Sequence, residues 1–255
     1  MFKLLGSLVI SFIDELGNIT ILGLRAMRSI VKGKVQMRNV IDQMAWLGVN
    51  SLAVSVTTAA FVGMVFATQI VTKFSKLGAI SMVGGIVGLA VWRELAPILT
   101  AVVLAGRIGA AIAAELGSMK VTDQIDAMES MAVSPVDYLV APRVLSCVFM
   151  LPVLIIFADL IGFLGGYFVS VFIFSVNPVS YFTSASTMLT VTDIWPGIFI
   201  KGPIFGLIIS MIATYKGLSA KGGARGVGEV TTSAVVLALV SIFVSNYFLS
   251  QIIFR

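Results

Sequence analysis

The run ISMVGGIVGLAVWRELAPILTAVVLAG, from Ile80 to Gly106, decides the fold. A membrane-spanning helix needs about 20 mostly apolar residues, and this run exceeds that length. Its interruptions are Arg93, Glu94 and Pro97, which leave an apolar half on either side. Four more apolar runs of spanning length occupy about Ala45–Val71, Leu145–Phe174, Ile194–Tyr215 and Val230–Ile253. Asp159 and Pro152 lie inside the third span, and Lys201 inside the fourth. The chain therefore reads as an all-α polytopic membrane protein with about five transmembrane helices.

Composition agrees with that reading. Of the 255 residues, 58% are hydrophobic and 11% charged; soluble domains run at about 45–50% apolar and about 25% charged. An ordinary soluble fold is excluded. The net charge of +5 lies between apolar runs, where it sets topology, so no nucleic-acid partner is expected. With no histidine, imidazole acid–base chemistry and imidazole metal ligands are absent, and no metal site is expected. The single cysteine, Cys147, falls in an apolar stretch and is expected to be a small core residue.

The N-terminal stretch differs in character. From Phe2 to Leu24, Ser7, Ser11, Asp14, Glu15 and Asn18 recur at helical spacing, with Leu5, Leu8, Val9, Phe12, Ile13 and Leu16 on the other side. The pattern predicts an amphipathic helix lying in the membrane interface, not a cleavable signal. Residues 1–44 are thus expected to form an interfacial helix and linker, and residues 45–255 the transmembrane domain.

Positive charge orients the bundle. With the N-terminus inside, 12 of the Lys and Arg residues fall on the inner side: Lys3, Arg25, Arg28, Lys32, Lys34, Arg38, Arg107, Lys120, Arg143, Lys216, Lys221 and Arg225. Lys73, Lys76 and Arg255 fall outside, while Arg93 and Lys201 lie within spans. The connections are a short polar link at 72–79, a largely helical cytoplasmic loop at 107–143, a Ser/Thr/Asn-rich link at 175–193 and a flexible Gly-Gly turn at 216–229. No internal repeat is evident.

The loop at 107–143 holds the most distinctive sequence. Ala105, Gly109, Ala113 and Gly117 recur every fourth position, spacing that lets helices approach closely. Met119, Val121, Ile125 and Met128 then alternate with Lys120, Asp123, Asp126 and Glu129 at helical spacing. An amphipathic segment facing the cytoplasm suits docking on a soluble partner, or is simply a solvated helix.

Across this region the sequence resembles the signature of MlaE-type ABC permeases. The run from Arg93-Glu94-Leu95-Ala96-Pro97 through Ala105-Gly106-Arg107-Ile108-Gly109 and Ala114-Glu115-Leu116-Gly117-Ser118-Met119-Lys120-Val121-Thr122-Asp123-Gln124-Ile125-Asp126 carries the resemblance. Met131-Ala132-Val133-Ser134-Pro135, Ala141-Pro142-Arg143 and, upstream, Phe61-Val62-Gly63-Met64-Val65 extend it to roughly residues 40–255. The resemblance implies a homodimeric permease serving two ABC ATPase subunits and an MCE-type lipid-binding protein. It implies movement of phospholipids or related lipids between a bacterial inner membrane and the space outside it; a chloroplast inner envelope is the second setting. It implies a coupling helix from about Glu115 to Met128, so that Glu115, Gly117, Met119, Lys120, Asp123, Gln124 and Asp126 are expected to contact the ATPase. The chain has no phosphate-binding loop: the nearest lookalike, Gly217 to Gly222, is followed by Gly223 instead of lysine. ATP and magnesium are therefore expected on the partner, with no cofactor on this chain and no enzymatic activity of its own.

Charges within spans cost about 2.5–3.5 kcal/mol each on insertion scales, so a functional reason is the default expectation. Arg93 and Glu94 precede Pro97, a kink-prone position, and in the family this segment lines a central cavity between two copies. Arg93 is expected to meet a lipid phosphate and Glu94 to orient Arg93 or limit over-tight binding. Asp159 and Lys201, in adjacent spans, are expected to neutralise each other. Phe66, Ile70, Phe74 and Leu77 share one helix face, and the resemblance raises Phe66, Phe74 and Leu77 as contacts for lipid tails. Lys73 on that side is a departure. The rival reading is an ion-coupled secondary transporter using Glu94, Asp159 and Lys201.

Overall fold

The structure, a computed structural model, describes residues 2–254. The side chains of residues 2–9, 11 and 12, with the expectations placed on Lys3, Leu5, Ser7, Leu8, Val9, Ser11 and Phe12, lie outside the described residues, as does Arg255. Every regular element among the described residues is helical. Helix α1 spans Phe2–Val31. Five segments are long and apolar enough to cross a membrane: α2 (Met37–Lys76), α3 (Ile80–Val121), α5 (Val136–Ile173), α7 (Val191–Leu218) and α8 (Gly223–Ile253). Two short helices, α4 (Gln124–Ser130) and α6 (Pro178–Met188), sit between them. The five expected spans are all present, and α1 is separate from them.

The helices run past the apolar windows because hydropathy marks the membrane, not the helix. The expected link at 72–79 is helical through Lys76; only Leu77 to Ala79 turn, and Gly78 takes the left-handed conformation (φ +70°) that ends helices readily. The helix holding Arg107 continues to Val121, so the expected loop starts as helix. The supposed flexible turn at 216–229 shrinks to a few residues, because α8 already begins at Gly223, with Gly222 and Gly223 both at positive φ. Within the 175–193 link, Asn177 caps α6 by accepting from Val179 N at 2.9 Å, and Pro178 takes the first helical position, where no N–H is needed.

Small residues set the packing. Helices α2 and α5 run side by side in the same direction, tied near one end by Ser146 Oγ donating to Val40 O (2.9 Å). Further along, Gly63 lies against the backbone of Gly162, and Gly165 against that of Ala60, so a Cβ at Gly63 would strike the Gly162 carbonyl. The four-residue ladder behaves as expected: Ala105, Gly109, Ala113 and Gly117 are all buried. Gly117 meets Ala220 and Val227, and Gly217 meets Ala113, which brings α3, α7 and α8 together at the end where the inner-side Lys and Arg collect. Cys147 is buried in the main core with Leu151, Ile155 and Phe205. A second core of Val71, Val83, Val87, Val91 and Tyr181 holds the opposite end.

On α1, Ile19, Leu22 and Ala26 pack against Val140, Val144 and Met211. Ile13, Leu16, Leu24, Met27 and Val31 remain exposed. The helix therefore has two apolar aspects, one bound to the bundle and one free.

Candidate functional site

Two widened helical turns build the charged site. Val91–Leu95 in α3 and Gly197–Lys201 in α7 are π-helical, and each is followed within two residues by a proline, Pro97 and Pro203. Such turns recur at functional sites. Pro97 has no N–H to give to the carbonyl four residues earlier, which is Arg93 O. That carbonyl instead accepts from Lys201 Nζ at 2.8 Å. The proline expected to kink the helix therefore also opens a backbone acceptor to a buried ammonium.

Lys201 is fully buried and its three donors have three partners: Arg93 O, Ser250 Oγ at 2.8 Å and Glu94 Oε2 at 2.9 Å. Glu94 also accepts from Asn246 Nδ2 (2.9 Å) and Ser250 Oγ (2.7 Å), both on α8. Arg93 turns the other way, donating from Nε to Asp193 Oδ1 at 3.0 Å and pairing with it again through its terminal nitrogen. The other Asp193 oxygen accepts from Thr190 N at 2.8 Å, closing a capping box at the start of α7. The Phe254 ring lies 4.6 Å from the Arg93 guanidinium and 5.3 Å from the Lys201 ammonium. Two cations and two carboxylates thus form a neutral array. Lys201 and Asp193 are enclosed, while the Arg93 and Glu94 side chains are 36% and 37% exposed and make its open edge.

This arrangement corrects two expectations. Glu94 does not orient Arg93; each has its own partner. Asp159 and Lys201 do not neutralise each other: Asp159 is fully buried and both its oxygens lack a hydrogen-bond partner among the described residues. Sequence reasoning missed Asp193, Asn246, Ser250 and Phe254. Only Asp193 had a local signal, the Thr-x-x-Asp spacing ahead of an apolar run.

The aromatic stripe is divided. Phe66 is half-buried and, with Phe61, Val62, Val65, Gln69 and Leu95, the residue after Glu94, lines an open pocket of about 270 Å³. Phe74 packs on the second core, and Leu77 is 74% exposed at the end of α2. Phe66 and Phe74 thus share the second core with Val91 of the charged turn, and Leu77 stands apart from it.

The model of the family described as "Permease MlaE" matches residues 40–252. The chain belongs to the MlaE permease family. It is 44% identical over 226 residues to a probable ABC transporter permease protein of Synechocystis sp., covering 89% of this chain and 86% of that one. It is 38% identical over 253 residues to one of Rickettsia typhi, covering 99% and 97%. It is also 41% identical over 226 residues to the chloroplastic protein trigalactosyldiacylglycerol 1 of Arabidopsis thaliana, covering 89% of this chain and 64% of that one. The chain is thus an ABC transporter permease spanning a membrane, and a permease of this kind works with ATPase partners.

At the basic end of the permease, the expected single coupling helix from Glu115 to Met128 is two helices. α3 ends at Val121, Asp123 takes a left-handed conformation (φ 58°), and α4 begins at Gln124. Lys120 Nζ bonds Asp126 Oδ1 across the break at 2.7 Å, and Ile125 anchors α4 in the core. Glu115 is tied to the buried Arg143 at 2.8 Å, Gly117 is buried, and Met119 packs on the core. Asp123, Gln124, Asp126 and Glu129 face outward. Of the seven candidate coupling residues, Asp123, Gln124 and Asp126 form an accessible edge, Glu115 is equally exposed one helix earlier, and Gly117, Met119 and Lys120 brace the break.

Proposed function

We propose that this permease is the membrane half of a lipid transporter of the bacterial inner membrane. It acts as a homodimer that passes phospholipid or a related lipid to or from an MCE-type binding protein, powered by ATPase subunits docked on the edge formed by Asp123, Gln124 and Asp126. The observation that carries this reading is the open edge of the charged array. Arg93 offers guanidinium donors suited to a phosphate, Glu94 offsets its charge, and an apolar pocket at Phe66 and Leu95 adjoins the same turn. A lipid requires both characters side by side. The name of the Arabidopsis relative, which refers to a galactolipid, supports a lipid cargo. ATP and magnesium belong to the ATPase subunits, and this chain contributes binding and conformational change, not catalysis.

Purification of the intact complex from its native membrane, with subunit and lipid identification by mass spectrometry, tests the proposal. Two permease copies with an ATPase, an MCE-domain protein and bound phospholipid are expected. A complex with one permease copy, or without lipid, contradicts it. The rival ion-coupled carrier would need Glu94, Asp159 and Lys201 to act as a relay. Lys201 and Glu94 bond each other and Asp159 bonds neither, which favours the ABC reading.

A further inference from the structure

A second site has its polar mouth at the opposite end from the charged array, where α1 leans on α7 and α8. A cleft of about 980 Å³ opens there, with Glu15, Lys216, Arg225 and Glu229 around its polar part. It shares Glu15, Lys216 and Glu229 with a recess of about 420 Å³ that adds Asp14 and Tyr215. Through Leu237 it continues into an apolar groove of about 410 Å³ between Ile19 and Met27 of α1, Met211 of α7 and Ser245 of α8. A polar mouth leading into an apolar groove has the profile of a lipid head and tail.

We propose that this cleft seats one zwitterionic phospholipid with a primary amine head group, drawn from the leaflet at the basic end of the bundle. Charge selects the lipid. Among the described residues, the mouth holds two cations, Lys216 and Arg225, against three carboxylates, Asp14, Glu15 and Glu229. That excess of negative charge disfavours a net anionic lipid and provides carboxylates for an ammonium, while Lys216 and Arg225 take the phosphate. A primary ammonium donates hydrogen bonds to carboxylates. A quaternary one has no N–H and is typically held by several aromatic rings, whereas among the described residues Tyr215 is the one aromatic lining the mouth. The Arg225–Glu229 pair is i,i+4 with side chains 91% and 67% exposed. Such pairs are weak and reopen readily for a ligand. The Glu15–Lys216 pair is more enclosed and holds α1 at the rim. Along α8 the lining runs from Glu229 to Ser245, about 24 Å at 1.5 Å per residue, more than the roughly 15 Å of half a bilayer core. One acyl chain therefore fits along α8. The site is independent of the transport reading, because it requires neither ATP nor the charged array.

The test uses the full-length permease with its ATPase in nanodiscs, each doped with one photoactivatable, tail-labelled lipid: phosphatidylethanolamine, phosphatidylcholine or phosphatidylglycerol. Labelled peptides are mapped by mass spectrometry without ATP. Phosphatidylethanolamine should label residues 16–27 and 237–245 about tenfold more than either competitor, the factor that one charge-assisted contact supplies. Asp14→Asn with Glu229→Gln should bring it down to the phosphatidylcholine level. Labelling of lipid-facing Val49 on α2 should be unchanged, which confirms an intact bundle. Equal labelling by all three lipids, a preference for phosphatidylglycerol, or selectivity that survives the double substitution would overturn the proposal.

Discussion

Arg93 and Glu94 are adjacent in the chain but serve different partners, and that separation sets the consequences of mutating each. Removing Glu94 leaves Lys201 buried without its counter-ion, a change that costs about 3–5 kcal/mol when one member of a buried pair is deleted. Glu94→Ala should therefore lower the thermal midpoint of the detergent-solubilised protein, and adding Lys201→Met should restore most of it. Arg93→Ala removes a half-exposed side chain, and Asp193 keeps its Thr190 bonds. It leaves the enclosed Asp193 without its counter-ion, so it should also lower the thermal midpoint while lowering lipid transport, and Lys201→Met should not rescue it. If Lys201→Met restores Arg93→Ala as well as Glu94→Ala, the partner assignment is wrong. Asp159 has no bonded partner among the described residues, so Asp159→Asn should leave transport and melting near wild type; loss of transport would revive the relay. At this scale the charged residues were legible but their pairing was not. Hydropathy marks a charge inside a span, but Glu94, Lys201 and Ser250 are distant in sequence and meet only once three helices have docked. Asp159 and Lys201 looked paired because each was the lone charge of its span.

Among the elements, the prolines and glycines carry the most specific consequences. Pro97→Ala restores an N–H that competes with Lys201 for Arg93 O. The turn at Val91–Leu95 should then tighten towards regular α-helix and rotate Glu94 away from Asn246, reducing transport with little loss of fold stability. Gly63→Val places a side chain on the Gly162 carbonyl, and overpacking of this kind costs about 1–3 kcal/mol or more. Reduced yield and a lower melting temperature are expected. At the basic end, Asp126→Lys breaks the bridge from Lys120 across the α3–α4 break and reverses charge on the accessible edge. ATPase co-purification should fall while the permease still folds; unchanged assembly would place the contact elsewhere. The spans were legible because about 20 apolar residues in a row have few other uses. The break at Asp123 was not, because a left-handed aspartate leaves no hydropathy signature and the apolar spacing continues across it.

For the molecule as a whole, the arrangement is a bundle with a charged, neutral-sum array towards one end and an exposed acidic edge, the proposed ATPase contact, at the other. α3 links them, with Arg93 and Glu94 in one π turn and its C-terminal end braced by the Glu115–Arg143 pair. Beyond the α1 cleft, Phe243, Val244, Tyr247 and Phe248 of α8 stay exposed and leave a surface for the proposed second copy. The family could be recognised from the run between Arg93 and Arg143, whereas nothing local in the sequence marked the α1 cleft, because its walls come from both ends of the chain. The most direct test of the central claim is site-specific photo-crosslinking in the assembled transporter, with the crosslinker at residue 66, at residue 94, or at the outward-facing Phe157 on α5. Positions 66 and 94 should capture phospholipid in an ATP-sensitive manner, and position 157 should capture it regardless of ATP. Lipid captured at 157 but never at 66 or 94 would contradict a lipid path along the Arg93–Glu94 turn.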